Sequence, residues 1–179
     1  MSFVTCQADS TRFKAVLEEE GIFEALSFIN SKSVHRFTAL YIFDAPALRN
    51  VCLVDKQDST VRQSEPIEIT DSYCLFVRDS GEKFITIDSL SDERVKEHPK
   101  RALIQSYCGL PLTNVDGATL GTVCHFNFDP IPYTDDELIL LEMASPTIVD
   151  WIEKSLHIKG TIVCPCCQGT GSVPEDSIN

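Results

Sequence analysis

The chain predicts an α+β fold: an antiparallel sheet whose terminal helices lie together on one face. Three observations carry this expectation. Apolar residues recur at helical spacing at both ends of the chain, runs rich in aromatic and branched residues fill the middle, and two of those runs flank the turn "VDG" as a hairpin does. With 179 residues and 43% hydrophobic composition, the chain is long enough for one well-buried core and short for two.

The elements follow in order. In "DSTRFKAVLEEEGIFEALSFINSK", Phe13, Val16 and Leu17, then Phe23, Leu26 and Ile29, fall on one helical face, and Gly21 divides the run into two helices. "RFTALYIFD" and "RNVCLVD" read as a strand hairpin across the turn-prone "APAL". Asp71 or Ser72 is placed to cap a short helix in "SYCLFVRDSG", which Gly81 ends in a left-handed conformation. "KFITIDSL" is a strand, and "SDERVKEHPKRALIQ", polar and broken at Pro99, is a loop with a helical turn or two. "SYCGLPLTN" and "ATLGTVCHFNF" form the strongest hairpin signal. "TDDELILLEMASPTIVDWIEKSLHI" is a long amphipathic helix that opens with Thr134 and Glu137 in capping-box spacing and carries a bend signal at Pro146.

Lysine and arginine number 15 against 27 aspartate and glutamate, a formal charge of -12. That field repels a phosphate backbone and argues against nucleic acid. No apolar run approaches the roughly 20 residues that cross a bilayer, and the N-terminus lacks the pattern of an export signal. The expectation is a cytoplasmic protein away from membranes, with most of its eight cysteines as reduced thiols or metal ligands rather than disulfides.

"GLPLTNVDGATLGTVCHFNFDPIPYTDDELILLE" resembles the closing segment of a GAF domain: a strand, a Gly-containing turn, "LGT" followed by Cys, and a Pro-rich stretch before the last helix. The resemblance reaches upstream through "DSYCLFVRDSGEKFITIDSLSDERVKEHP" to "HRFTALYIFD", about residues 9 to 157, leaving 158 to 179 as a Cys-rich tail. It implies a GAF/PAS-like central sheet of about six strands, terminal helices on one face and a ligand cavity on the other. Gly117 permits the turn, and Gly121 lets a neighbouring chain approach.

The resemblance places Cys74, Cys108 and Cys124 on the cavity walls and Asp88 at the end of another wall strand. They are either redox or metal groups or, as cysteines often are, small buried hydrophobes. On a strand Thr122, Cys124 and Phe126 share one face, and His125 points the other way, toward the terminal helices, as a core histidine. The expected ligand-binding set is therefore Tyr73, Cys74, Asp88, Thr122, Cys124 and Phe126. Arg78 and Lys83 either attract an anionic ligand or serve as ion-pair partners. No catalytic residue stands out.

In the tail, "CPCCQGTG" fits C-x-x-C-x-G-x-G and resembles one knuckle of the zinc-binding region of DnaJ-type chaperones. Cys164 and Cys167 are the expected zinc ligands, joined by Cys166, by His157 or by a second chain, since one knuckle supplies half of a four-ligand site. The functional expectation is a stand-alone sensory or small-molecule-binding module in signal transduction, acting as a homodimer or through a partner protein. Val149, Ile152 and Leu156 extend an apolar stripe that motivates the homodimer. Two alternatives stand beside it. One is a thiol-based redox enzyme or sensor resembling free-methionine-sulfoxide reductases, although "SDERVKEHPKRALIQ" lacks their loop cysteines. The other is an interaction protein with an empty pocket.

Overall fold

The computed structural model describes residues 3–155. Helices Phe3–Glu19 (α1) and Ile22–Lys32 (α2) are separated at Gly21, whose φ of 98° admits glycine readily and strains other residues. Strands Phe37–Asp44 (β1) and Ala47–Asp55 (β2) form the first hairpin, followed by Ile67–Glu68 (β3), helix Cys74–Ser80 (α3) and Phe84–Thr86 (β4). Strands Ser106–Thr113 (β5) and Thr119–Asn127 (β6) form the second hairpin, and Asp135–Ser155 (α4) closes the described chain. The six strands are ordered β3-β2-β1-β6-β5-β4, each pair antiparallel. This is the expected α+β architecture. The two-residue β3 is too short to show a period in the sequence, and β4 stops at Thr86 because the chain then turns into the 87–105 segment.

Two cores sandwich the sheet. On one face α1, α2 and α4 bury Phe13, Leu26, Ile29, Leu141, Ile148 and Ile152 against Leu40, Leu112 and Val123. On the other, α3 and the 87–105 segment bury Tyr73, Val77, Phe84 and Val95 against Ala39, Tyr41, Tyr107 and Cys124. Burying such side chains contributes about 1.5–3 kcal/mol each, so the sheet is held from both sides.

Register shifts change which residues reach each core. Between Leu40 and Tyr41 the partner moves from Cys52 to Asn50, leaving Val51 as the extra residue of a bulge. The Asn50 amide donates to the Leu40 and Cys52 carbonyls and accepts from the Ser64 N–H, satisfying the groups the bulge displaces. A second shift at Leu112 leaves Leu120 unpaired, so Leu120 packs with the helices although it shares parity with Thr122.

Helix termini follow the chain chemistry. Gly81 adopts φ 69° as the left-handed end of α3, and its N–H bonds Val77 O at 2.9 Å. At the other end Tyr73 is the capping residue, without a side-chain bond. Ser72 contributes by accepting the Cys74 N–H at 3.2 Å. In α4 the capping box is closed: the Thr134 hydroxyl accepts the Glu137 N–H at 3.2 Å, and Glu137 Oε2 accepts the Thr134 N–H at 2.7 Å. The helix continues through Pro146.

One expectation is corrected. Val149 and Ile152 do not extend an apolar stripe beyond the fold; both are buried in the helix-face core, which draws on α1, α2, α4 and the sheet together. Leu156, His157 and the tail cysteines Cys164, Cys166 and Cys167 lie outside the described residues. Among the described residues no group of three or more His, Cys, Asp or Glu is placed to hold a metal, and no helix is long and apolar enough to cross a membrane.

Candidate functional site

The α3 face is built around Tyr73, just ahead of α3, and Tyr107 on β5. Their rings meet edge to face at 5.5 Å, and the Tyr73 hydroxyl donates to Ile104 O at 3.1 Å, fastening the 87–105 segment over the sheet. Phe76, Phe84 and His98 complete the aromatic wall, with His98 4.5 Å from Tyr73. Tyr107 donates to Cys74 Sγ at 3.4 Å.

Four of the six expected ligand-binding residues thus come together: Tyr73, Cys74, Thr122 and Cys124 share one cluster and are each at most 1% exposed. Phe126 lies on β6 two positions beyond Cys124, stacked on Phe37 at 4.7 Å. Asp88 lies past the end of β4 and is engaged in its own turn, accepting the Leu90 N–H at 3.0 Å and the Ser91 hydroxyl at 2.7 Å. Cys108 does not wall this face. It packs among the helices, paired across the sheet with His125, and burial pushes its thiol up to about 12. Arg78 and Lys83 are exposed and pair with Asp79 and Glu142, each at 2.8 Å.

The two thiols that remain are unlike. The neighbouring Cys74 side chain, together with burial, raises Cys124 well above the ordinary thiol range. Burial opposes the Cys74 thiolate too, but the neighbouring Cys124, Ser72 and Tyr107 side chains, the last donating to its sulfur at 3.4 Å, hold it below that range. Both cysteines are free.

Three polar atoms on this side are buried without hydrogen-bond partners: Thr86 Oγ1, His98 Nε2 and Arg101 Nε. Asp92 lies near Thr86 and the Ser72 backbone near His98, yet neither meets hydrogen-bond geometry. The remaining Arg101 nitrogens are used, Nη1 donating to Lys96 O at 3.0 Å and Nη2 to Leu90 O. None of these residues was singled out from the sequence. Tyr107 was within reach of the parity argument, since it alternates with Cys108 on β5. His98 and Arg101 lie in a loop with no period to read.

A second polar cluster lies on the helix face. Glu137, its side chain 3% exposed, accepts from Ser33 Oγ at 2.5 Å, Val34 N–H at 2.8 Å and the Thr134 hydroxyl at 2.9 Å, with His35 Nδ1 at 3.3 Å. Burial would raise its carboxyl, but the His35, Ser33, Thr134 and Val34 donors overcome this and hold it far below the usual range. His125 is therefore not a lone core histidine. Its ring stacks on His35 at 5.9 Å and its Nδ1 meets Thr38 Oγ1 at 2.7 Å, while Nε2 is buried without a partner despite the nearby Phe37 backbone. Ser33 is not arranged as a nucleophile, because Ser33 and Glu137 both address the same His35 nitrogen.

This cluster sets an acid limit. Burial, then the neighbouring His35, push the His125 pKa down to about 3, with Lys56 adding to the fall and Glu137 opposing it. An unfolded histidine binds its proton near pH 6.5, so below that pH the unfolded chain gains a proton the fold refuses. Stability should fall by up to about 1.4 kcal/mol per pH unit below pH 6.5 from His125 alone. Glu137 adds a loss of the same sign below about pH 4.5, where its unfolded carboxylate protonates first. Urea midpoints between pH 7 and 4.5 measure this. His125→Leu should flatten the profile, leaving only the smaller slope from His98, which burial also holds low. An unchanged slope would show that His125 is not the titrating group.

Two surface grooves lie elsewhere, along α4 and β5. One, of about 300 Å³, is lined by Glu82, Lys83, Leu110, Pro111, Glu142 and Ser145, and the other continues past Pro146 toward Val115.

No family model matches the sequence, and no curated protein matches it. Solved structures do. The GAF domain of an Acinetobacter phosphoenolpyruvate-protein phosphotransferase superposes with a TM-score of 0.65 at 11% identity, covering 87% of this chain and 98% of its own. Free methionine-R-sulfoxide reductase from Neisseria meningitidis, in complex with its substrate, gives 0.65 at 13% identity, covering 85% and 90%. A far-red absorbing dark-state protein with bound biliverdin gives 0.64 at 11% identity, covering 83% and 99%. The element order, the six-stranded sheet and these superpositions together establish that the chain has the GAF fold.

Proposed function

We propose that the chain is a small-molecule-sensing module in signal transduction, and that its ligand is taken up on the α3 face beneath the 87–105 segment. One observation carries this reading: Thr86 Oγ1, His98 Nε2 and Arg101 Nε are buried there unpaired. An unsatisfied buried polar atom costs about 1–3 kcal/mol, so this site is destabilised until something supplies partners. The set combines a hydroxyl, an imidazole and a guanidinium N–H, which suits a small polar molecule bearing a carbonyl or carboxylate. A chromophore the size of biliverdin, held by the protein of similar fold, would require Tyr73, Tyr107 and their neighbours to withdraw from their present packing.

The same segment exposes Ile87, Leu90 and Leu103, each about half accessible. We assign to them the contact with a second copy of the chain or a partner protein, through which ligand occupancy is transmitted. Sedimentation across a range of concentrations tests the self-association, and a concentration-independent monomer removes the second copy.

The ligand is tested by denaturing purified protein and identifying released molecules by mass spectrometry, alongside thermal melts with amino acids, short carboxylates and nucleotides. A ligand at 100-fold its Kd stabilises by about 2.7 kcal/mol. For a domain of this size that corresponds to a Tm rise of about 5–10 °C. Arg101→Ala should abolish the rise. A protein that releases nothing and responds to none of these compounds is an interaction protein with a filled face.

A further inference from the structure

The α3 face also buries two free thiols, Cys74 and Cys124. Cys74 opens α3 and Cys124 lies in the middle of β6; α3 packs directly on that strand, and the two thiols are buried in the same core of the α3 face. Among the described cysteines this arrangement is confined to one pair. Cys52 and Cys108 lie in the core of the opposite face, and Cys6 is placed against Asp136 at 3.8 Å.

We propose that Cys74 and Cys124 are a dithiol switch, oxidised by a small hydroperoxide to a disulfide that ties α3 to the central sheet. Cys74 is the attacking sulfur, because the Tyr107 hydroxyl donates to it at 3.4 Å. Its sulfur attacks one peroxide oxygen; the S–O bond forms, the O–O bond breaks, and the thiol proton leaves with the departing oxygen as water or an alcohol. The Cys124 sulfur then attacks the Cys74 sulfenic acid. The S–S bond forms, the S–O bond breaks, and hydroxide departs with the Cys124 proton as water. Two electrons pass from the thiols to the peroxide, and a dithiol reductant reverses the change.

The surroundings determine the oxidant. Cys74 is 0% and Cys124 1% exposed, so a bulky disulfide such as oxidised glutathione is excluded, whereas hydrogen peroxide can enter on local opening of α3 and the 87–105 segment. Tyr107 is a positioning residue: its hydroxyl donates to Cys74 Sγ at 3.4 Å and orients the lone pairs of that sulfur.

The test uses the full chain, reduced, exposed to hydrogen peroxide, then denatured with an alkylating reagent and mapped by mass spectrometry. The expected result is one linked peptide pair joining Cys74 to Cys124, lighter by two hydrogens and restored by dithiothreitol, with Cys52 and Cys108 still alkylated. Oxidised glutathione should not produce it. In Cys124→Ser the reaction should stop at a Cys74 sulfenic acid that dimedone traps, and Tyr107→Phe should slow linkage several-fold without changing the product. The proposal is overturned if Cys74 and Cys124 are both alkylated after peroxide has oxidised other cysteines of the chain, or if Cys74 links elsewhere. The mapping of the unsubstituted chain decides this even if a variant fails to fold.

Discussion

Glu137→Ala should destabilise the domain by about 3–5 kcal/mol, the range seen when one partner of a buried charged network is removed. The carboxylate gathers Ser33 Oγ, the Val34 N–H and both donors of Thr134 at 2.5–2.9 Å in a site with its side chain 3% exposed. Alanine leaves all four without an acceptor and withdraws the charge beside His35. Thr134→Ala removes only the capping half and should cost about 1 kcal/mol. Glu137→Gln retains one acceptor oxygen but turns an amide N–H toward a donor, so it should fall between the two. Denaturant titration of the three variants measures the order, and a Glu137→Ala loss no larger than that of Thr134→Ala would reduce the cluster to an ordinary helix cap. Because the network joins the 33–35 connection to the start of α4, hydrogen exchange in Glu137→Ala should accelerate first at those two segments.

Gly121→Ala should cost about 3 kcal/mol, the upper end for overpacking, and lower Tm by about 6–12 °C. A Cβ at this position falls within the van der Waals shell of the Tyr41 carbonyl oxygen and against Ile42 Cα on the paired strand. The obstruction is backbone and cannot rotate aside, so β1 and β6 must separate at the centre of the sheet. Gly117→Ala provides the contrast. It has a positive φ of 82° but open space around it, and should lose only about 1 kcal/mol of backbone strain. Thermal melts showing Gly117→Ala as the more damaging change would mean that the β1–β6 spacing is not limiting.

The elements and their faces were legible in the sequence wherever a local rule operates over several residues. Helical spacing gave α1, α2 and α4 their buried faces, Gly21 and Gly81 marked the breaks, and the Thr134 to Glu137 spacing became a closed capping box. Alternation along β6 placed Cys124 and Phe126 on one side and His125 on the other. The same alternation extended to β5 would have moved Cys108 to the helix face and brought in Tyr107, because antiparallel partners share a face and Cys108 pairs with His125.

What the tertiary structure decided lies where no local rule applies. The bulges at Val51 and Leu120 exchange faces partway along a strand, and a residue count cannot locate them because they depend on the partner strand. The Glu137 network joins groups 102–104 residues apart, and the stripe at Val149 and Ile152 is buried in a core assembled from both ends of the chain. By itself, then, the sequence determined the fold class, the helix breaks at Gly21 and Gly81 and the side of the sheet on which the Cys124 thiol lies, since these follow from periodicity and backbone chemistry within short windows; the first helix, expected from Asp9, begins at Phe3. Only the folded chain decided that Tyr73 and Tyr107 fill the α3 face and share one core with Cys74 and Cys124, because packing in a dense interior is settled by side-chain volumes from distant segments at once.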